Sequence, residues 1–214
     1  MEMLEIFNEN HTLIGVASKE DAHKFGYWHQ VFGCLFIDSN KNKVYLQYKN
    51  GQFNDVDKVN KVDISVGGHL KAGENITDGV REIKEESSLD VKFADLDYLG
   101  QRKINKVINE NYIIREFAYL YVYDSTFNLS DLKSQDKEVL YFVEFDIDEL
   151  IGFLNYEIDF IIGKTPKCYQ KFIIDDFIKG YLEDDQYYLT SLLYAKNYIA
   201  NKANQEGYTK GLRR

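Results

Sequence analysis

The spacing of apolar residues along the chain predicts a series of short strands. Residues 112–123 alternate between the two sides of a strand, with Phe117, Tyr119 and Tyr121 on one side. Similar runs, bounded by turn-forming residues, predict further strands at 31–38, 43–48, 62–66, 91–99 and 139–145. Polar stretches at 105–111 and 124–137 predict loops, and we expect the second to be mobile because it has no hydrophobic period.

Helical spacing is found mainly in the second half of the chain. Residues 147–154 place apolar side chains at i, i+3, i+4 and i+7, which predicts a short helix. The same period predicts helices at 167–181 and 184–202, with Asp184 or Asp185 as the N-cap of the second and Pro166 as a boundary. We therefore expect a helical C-terminal extension at 156–214, packed on the preceding domain or on a second subunit. Its tyrosines are expected to be core residues rather than a substrate-binding face.

One further helix carries candidate chemistry. The sequence Arg81-Glu82-Ile83-Lys84-Glu85-Glu86 predicts a helix with Thr77 as its N-cap. Glu82, Glu85 and Glu86 fall at i, i+3 and i+4, so their carboxylates share one face and repel one another. A solvated, glutamate-rich helix is the alternative interpretation. Bound Mg²⁺ or Mn²⁺, which prefer oxygen ligands, would relieve the repulsion.

The residues before this helix add a resemblance. Gly67 and Gly68 follow the predicted strand 62–66, and Gly73 opens a second turn before Glu74. Together with the helix they resemble the signature of Nudix (MutT-like) hydrolases, G-x5-E-x7-R-E-U-x-E-E-x-G-U. The matching positions are Gly68, Glu74, Arg81, Glu82, Ile83, Glu85, Glu86 and Leu89. The spacer between Glu74 and Arg81 is one residue shorter than the pattern, and Ser88 replaces the last glycine.

The resemblance implies a fold, an activity and a set of roles. The fold is an α/β/α sandwich with a mixed sheet at residues 28–155, after an N-terminal segment at 1–27. The activity is hydrolysis of a pyrophosphate bond in a nucleoside diphosphate linked to another group, X. Mg²⁺ or Mn²⁺ would be held by Glu82, Glu85, Glu86 and the Gly67 carbonyl, while Arg81 orients the glutamates and Glu74 supports them. Gly68 would lie at the substrate. His69 follows it at the mouth of the site, where contact with a phosphate and a structural role are equally open. Glu138 resembles the loop glutamate that takes a proton from water in many members, with Glu116 as the alternative base and a further metal ligand.

A second resemblance is to the Nudix-fold isopentenyl-diphosphate isomerases, whose branch also has the shorter spacer. Those enzymes have metal-binding histidines near the positions of His23, His29 and His69, and a metal-binding acid at the position of Glu116. Their required cysteine is replaced here by Gly67 and a second acid by Ile114, which disfavours isomerisation. For His23 and His29 a structural role is favoured over a metal role. A Nudix-fold module that binds a ligand without turnover is the third possibility.

Composition narrows the class of partner. The net charge is −9, and no basic stripe is present to bind a nucleic-acid backbone. Cys34 and Cys168 are isolated, and Cys34 lies in an apolar run typical of a reduced, buried thiol. Without a signal-like or membrane-length apolar segment, we expect a cytoplasmic protein that acts on a small-molecule diphosphate, as a monomer or a homodimer.

Overall fold

A β-hairpin and a helix precede the main sheet. The computed structural model describes residues 2–51, 58–135, 137–183 and 186–211, with side chains to residue 204. Strands β1 (Met3–Phe7) and β2 (Leu13–Ser18) pair antiparallel, and α1 (Lys19–Phe25) follows directly. The Ser18 hydroxyl caps α1 by accepting the Asp21 N–H at 3.0 Å. The segment 1–27 is therefore folded, and a bridge between Phe7 and Trp28 joins it to the sheet.

Within the described residues, nine strands form one mixed sheet. Its central strand, β3 (His29–Asp38), runs parallel to β8 (Tyr112–Asp124) and antiparallel to β4 (Lys43–Lys49) and β6 (Val66–His69). The order across the sheet is β11-β10-β9-β4-β3-β8-β7, with β5 paired to β4 and β6 to β3. The remaining strands are β5 (Val62–Asp63), β7 (Asp97–Asn109), β9 (Val139–Asp146), β10 (Ile161–Lys164) and β11 (Tyr169–Phe172). The predicted mixed sheet is confirmed.

Helices cover both faces of the sheet. Leu35 and Ile37 of β3 pack with α3 (Ile147–Leu154) and α5 (Tyr187–Gly211), whereas Phe32 and Phe36 lie with α2 (Arg81–Ser87) on the other face. This division follows from the two-residue period of a strand. Helix α3 has the predicted bounds. In α5 the side chains of Tyr187, Tyr188, Leu192 and Ala195 are buried, which confirms that this helix contributes to the core.

Two predicted strands are wrong in their limits. Residues 91–96 include a 3₁₀ turn at Phe93–Asp95, and β7 begins only at Asp97. It then continues to Asn109, through most of the predicted loop 105–111, because its polar residues pair with β8 in a long hairpin. The run 62–66 is divided into β5 and the start of β6, so Gly67 and Gly68 lie in a strand and not in a turn.

The predicted helix at 167–181 is wrong for a local reason. The Thr165 hydroxyl oxygen accepts the N–H groups of Lys167 and Cys168, which forms a tight turn between β10 and β11. In this stretch α4 (Lys179–Glu183) is α-helical and Ile174–Asp176 forms a 3₁₀ turn. The extension is therefore a hairpin followed by helices. Asp184 and Asp185, the proposed caps, lie outside the described residues.

The loop at 125–138 is fixed to the core where it is described. Phe127, Leu129 and Leu132 are buried in the same hydrophobic cluster as Phe36, so the prediction of a mobile loop is not supported. The backbone N–H groups of Lys133 and Gln135 also donate to carbonyls of α2. No helix in the described part of the chain is long and apolar enough to span a membrane.

Candidate active site

The helix α2 begins with a turn that differs from the prediction. A 3₁₀ turn at Ile76–Val80 precedes it, and Asn75, not Thr77, stands at the N-cap of that turn. The Thr77 hydroxyl donates to Asn75 Oδ1 at 2.7 Å, and the Asn75 N–H donates to Asp78 Oδ2 at 2.9 Å. At the other end Ser88 has a φ of 63°, the left-handed conformation for which glycine is favoured. The helix is thus short and fixed at both ends.

Arg81 joins four of the groups that the motif brings together. Its guanidinium binds Glu74 through Nε at 2.6 Å and Nη2 at 2.9 Å, and Nη2 also donates to the His69 carbonyl at 2.9 Å. Nη1 contacts Glu82 and, at 3.2 Å, Glu85. This bidentate geometry holds a guanidinium more firmly than one contact would. Arg81 therefore lies where it can orient Glu82 and Glu85, and Glu74 holds it there.

Glu82 is in close contact with the glycine strand. A Cβ added to Gly68 would lie 2.1 Å from Glu82 Cδ, so any residue larger than glycine would displace this carboxylate. Burial, together with the charges of Glu86 and Glu85, raises the pKa of Glu82 to about 7, although Arg81 opposes the shift. Near neutral pH the Glu82 carboxylate is therefore only partly ionised. A divalent cation beside it would favour the ionised form.

Glu86 is held differently from its two neighbours. It is 3% exposed and forms a buried ion pair with Lys49, 3.0 Å between Oε1 and Nζ. Its other oxygen accepts Gln47 Nε2 at 2.8 Å and the Gly67 N–H at 2.9 Å. Sequence reasoning did not identify Lys49 or Gln47. Their position in an otherwise apolar strand was the available signal, because buried lysines are rare unless paired.

A second group of potential ligands lies close by. One ligand atom from each of His23, His29, His69 and Glu116 lies within 4.8 Å of the others. These residues come from α1, β3, β6 and β8, and the parallel register places His29 directly opposite Glu116. The distances from Glu116 Oε1 to Nε2 are 3.7 Å for His29 and 3.9 Å for His69.

Hydrogen bonds to backbone carbonyls set the tautomers of His29 and His23. Nδ1 of His29 donates to the Tyr27 carbonyl at 2.9 Å, and Nδ1 of His23 lies 3.4 Å from the Ile113 carbonyl. The buried Nε2 atoms of His23, His29 and His69 have no hydrogen-bond partner among the described residues. Burial lowers the pKa of His23 and His69, which keeps their lone pairs available. Such a set fits a transition-metal ion, and a carbonyl behind the ring is typical of metal-binding histidines.

Glu116 carries the negative charge of this second group. Burial alone would raise its pKa, but His29 and the nearby Lys58 outweigh that effect and lower it. As metal ligands, three imidazoles and one carboxylate would reduce the charge of a divalent ion without cancelling it. His23 and His29 therefore lie beside Glu116, as a metal site would require. Both also bond to a backbone carbonyl, which fits the structural role that we expected from the sequence.

The carboxylates of α2 and three residues of the second group, His23, His69 and Glu116, line one cavity of about 400 Å³. Glu74 and His29 are not among its lining residues, and Glu74 acts on Arg81 instead. Cationic side chains that were not predicted also line it, among them Lys58, Arg102 and Lys106. Tyr181 of α4 contributes to the wall, so the C-terminal extension helps to enclose the cavity. The lining residues that were predicted are Gly67, Gly68, His69, Arg81, Glu82, Glu85, Glu86, Glu116 and Glu138.

Two curated relatives resemble this chain in sequence. No protein-family model matches the chain. An uncharacterized Nudix hydrolase from Clostridium acetobutylicum is 36% identical over 186 residues, which cover 83% of this chain and 90% of the relative. A second uncharacterized Nudix hydrolase, from a Nostoc strain, is 26% identical over 101 residues, 47% of this chain and 59% of the relative.

One solved structure shares the fold. A crystal structure of a Deinococcus radiodurans protein superposes with a TM-score of 0.56 at 17% identity, over 72% of this chain and 90% of that chain. At this identity the likeness concerns the fold alone.

Proposed function

The chain belongs to the Nudix hydrolase family, and from that premise we propose that it hydrolyses a pyrophosphate bond in a nucleoside diphosphate linked to another group, X, with Mg²⁺ or Mn²⁺. The observation that carries the proposal is the shared cavity. The carboxylates of α2 line it together with His23, His69 and Glu116, and Lys58 and Arg102 supply positive charge at its lining. Oxygen ligands suit the divalent ion, and cations suit the phosphates.

The residues present fit a bound cation. Glu82 and Glu85 offer carboxylates that Arg81 orients. Glu86 becomes available as a ligand if the cation replaces Lys49 as its partner. His23, His29, His69 and Glu116 offer a separate nitrogen-rich site. When bound, a divalent ion lowers the pKa of the attacking water and neutralises charge on the phosphate oxygens.

The protein groups supply the remaining chemistry. Glu138 lines the cavity and is exposed, so it can accept the proton of the attacking water. Glu116 is enclosed by the histidines and is better placed to hold a metal. Arg102 and Lys58 would bind the negatively charged phosphates and hold the scissile bond in line with water.

An isomerase has less support. Isomerisation of a prenyl diphosphate requires an acid/base pair at carbon, and Gly67 and Ile114 stand where the isomerases carry a cysteine and an acid. Cys34 is buried in the core and Cys168 is exposed beside the β10–β11 turn, and neither lines the cavity. The chain therefore has no thiol in the described part of the cavity to serve that reaction.

The test is a substrate panel with a matched pair of variants. Nucleotide sugars, dinucleoside polyphosphates, ADP-ribose, cofactors and prenyl diphosphates would be incubated with Mg²⁺ or Mn²⁺, and the phosphorylated products identified. We expect hydrolysis of at least one nucleoside diphosphate derivative, a loss of more than about 100-fold in Glu85→Gln, and no loss in the exposed control Glu149→Gln. A wild-type rate in Glu85→Gln would refute the metal-site assignment, and binding of every ligand without turnover would favour the non-catalytic module.

A further inference from the structure

A second cavity lies beside the candidate active site. It has a volume of about 220 Å³ and is formed between α5 and the β7–β8 hairpin. Its floor is apolar, and its walls carry an arginine, a serine and two tyrosines. The residues that define its chemistry are Ala118, Leu120, Arg102, Tyr187, Ser191 and Tyr194.

This groove adjoins the active-site cavity. Arg102 lines both of them. Glu116, Ala118 and Leu120 are alternate residues of β8 and point to one face of the sheet, where Glu116 belongs to the histidine cluster. Two residues of a strand advance roughly 7 Å, so the groove begins about that far from Glu116. A substrate with its diphosphate at the metal ligands can therefore extend into the groove.

The groove contains a polar atom without a partner. Ser191 is 2% exposed, and its hydroxyl has no hydrogen-bond partner among the described residues. A serine in a helix often donates to the carbonyl four residues earlier, but here it does not. Leaving a buried hydroxyl unpaired costs about 1–3 kcal/mol, which a ligand with a donor or acceptor at this depth would recover.

The groove also has flat surfaces for a ring. The Arg102 guanidinium carbon lies 4.0 Å from the centre of the Tyr187 ring, a cation–π contact between two lining residues. Tyr194, about two turns further along α5, is 49% exposed although it lines the groove. An aromatic ring against an apolar floor, with a hydroxyl nearby, suits a planar heterocycle that carries hydrogen-bonding edges.

We propose that this groove binds the nucleobase of the substrate, with Tyr194 packing against the ring and Ser191 hydrogen-bonding its edge. Arg102 then lies between the base and the diphosphate. The assignment rests on the proposed function, because it assumes that the diphosphate occupies the neighbouring cavity. Helix α5 then recognises the nucleoside end of the substrate.

The experiment measures binding separately from turnover. Binding of AMP, GMP, CMP and UMP, and of the base-free probe methylenediphosphonate, would be measured by calorimetry with Mn²⁺. The variants are Tyr194→Ala, Ser191→Ala and the control Leu193→Ala, whose side chain is 52% exposed on the same helix but does not line the groove.

We expect Tyr194→Ala to weaken the preferred nucleotide by about 2- to 10-fold and leave methylenediphosphonate unchanged. Ser191→Ala should reduce the preference among the four bases, and Leu193→Ala should bind as the wild type does. Unchanged nucleotide affinity in Tyr194→Ala, or an equal loss for the base-free probe, would overturn the assignment. If no diphosphate is hydrolysed but nucleotides bind in this pattern, the proposed reaction fails while the base site stands.

Discussion

Replacing Lys49 by methionine tests whether the ion pair with Glu86 occupies the place of a metal. Lys49 is 5% exposed and Glu86 3% exposed, and their charged atoms are 3.0 Å apart. Methionine retains the apolar part of the side chain and removes the charge. Glu86 would keep Gln47 and the Gly67 N–H as partners but lose the ammonium group that balances its charge.

The expected loss in stability is large without metal. Removing one partner of a buried ion pair costs about 3–5 kcal/mol because the remaining charge is left uncompensated. For a chain of this size each kcal/mol lowers Tm by about 2–4 °C, so Lys49→Met should melt about 6–20 °C below the wild type in EDTA. With saturating Mn²⁺ the ion can pair with Glu86, so most of that difference should disappear.

The assay is thermal unfolding in EDTA and in Mn²⁺. Lys43→Met is the matched control, since Lys43 pairs with Asp146 at 3.1 Å in a half-exposed position and its loss should cost about 1 kcal/mol. The double variant Lys49→Met/Glu86→Gln should recover most of the stability, because no buried charge remains. The idea that Glu86 can bind either Lys49 or a metal is refuted by either of two results. One is that Lys49→Met and Lys43→Met have the same Tm in EDTA, and the other is that Mn²⁺ does not raise the Tm of Lys49→Met toward that of the wild type.

Three further predictions concern metal, pH and the proton acceptor. The wild type should gain about 2.7 kcal/mol at a hundredfold excess of Mn²⁺ over Kd, and unchanged melting curves would contradict both metal sites. Burial lowers the pKa of His23 and His69 below 6.5 in the folded state. As the pH falls below about 6.5, the unfolded chain therefore binds more protons than the folded chain. Urea unfolding of the metal-free protein should therefore show stability falling from pH 7 toward pH 5, with a shallower slope in His69→Gln. Glu138→Gln should lower kcat with little change in Mn²⁺ affinity, whereas Glu116→Gln should weaken Mn²⁺ first; the reverse pattern would make Glu116 the base.

The local signals in the sequence were sufficient where the structure is local. The helix at 147–154 and the strand at 112–123 have strong periods and appear almost as predicted. Glu82, Glu85 and Glu86 of α2 fall at i, i+3 and i+4, so their shared face followed from helical geometry alone.

Contacts between distant residues could not be predicted in the same way. The pairing of Lys49 with Glu86 and the convergence of His23 on Glu116 depend on how β3, β6 and β8 assemble. The strand β11 has a sequence with helical spacing, but pairing with β10 determined its conformation. Likewise, Phe127 lies in a polar stretch with no period, and tertiary packing buries it.

The parallel pairing of β3 with β8 has a consequence for the order of folding. In the chain, β4, β5, β6, α2 and β7 lie between His29 and Glu116. The two residues can therefore meet only when this long segment forms a closed loop. Closing so long a loop is entropically unfavourable and slow. The antiparallel pairs β3–β4 and β7–β8 can therefore form well before β3 pairs with β8. The histidine cluster draws on residues from both sides of that closure and therefore cannot exist in a partly folded chain. Capture of a transition-metal ion during refolding would then report the last step of sheet assembly.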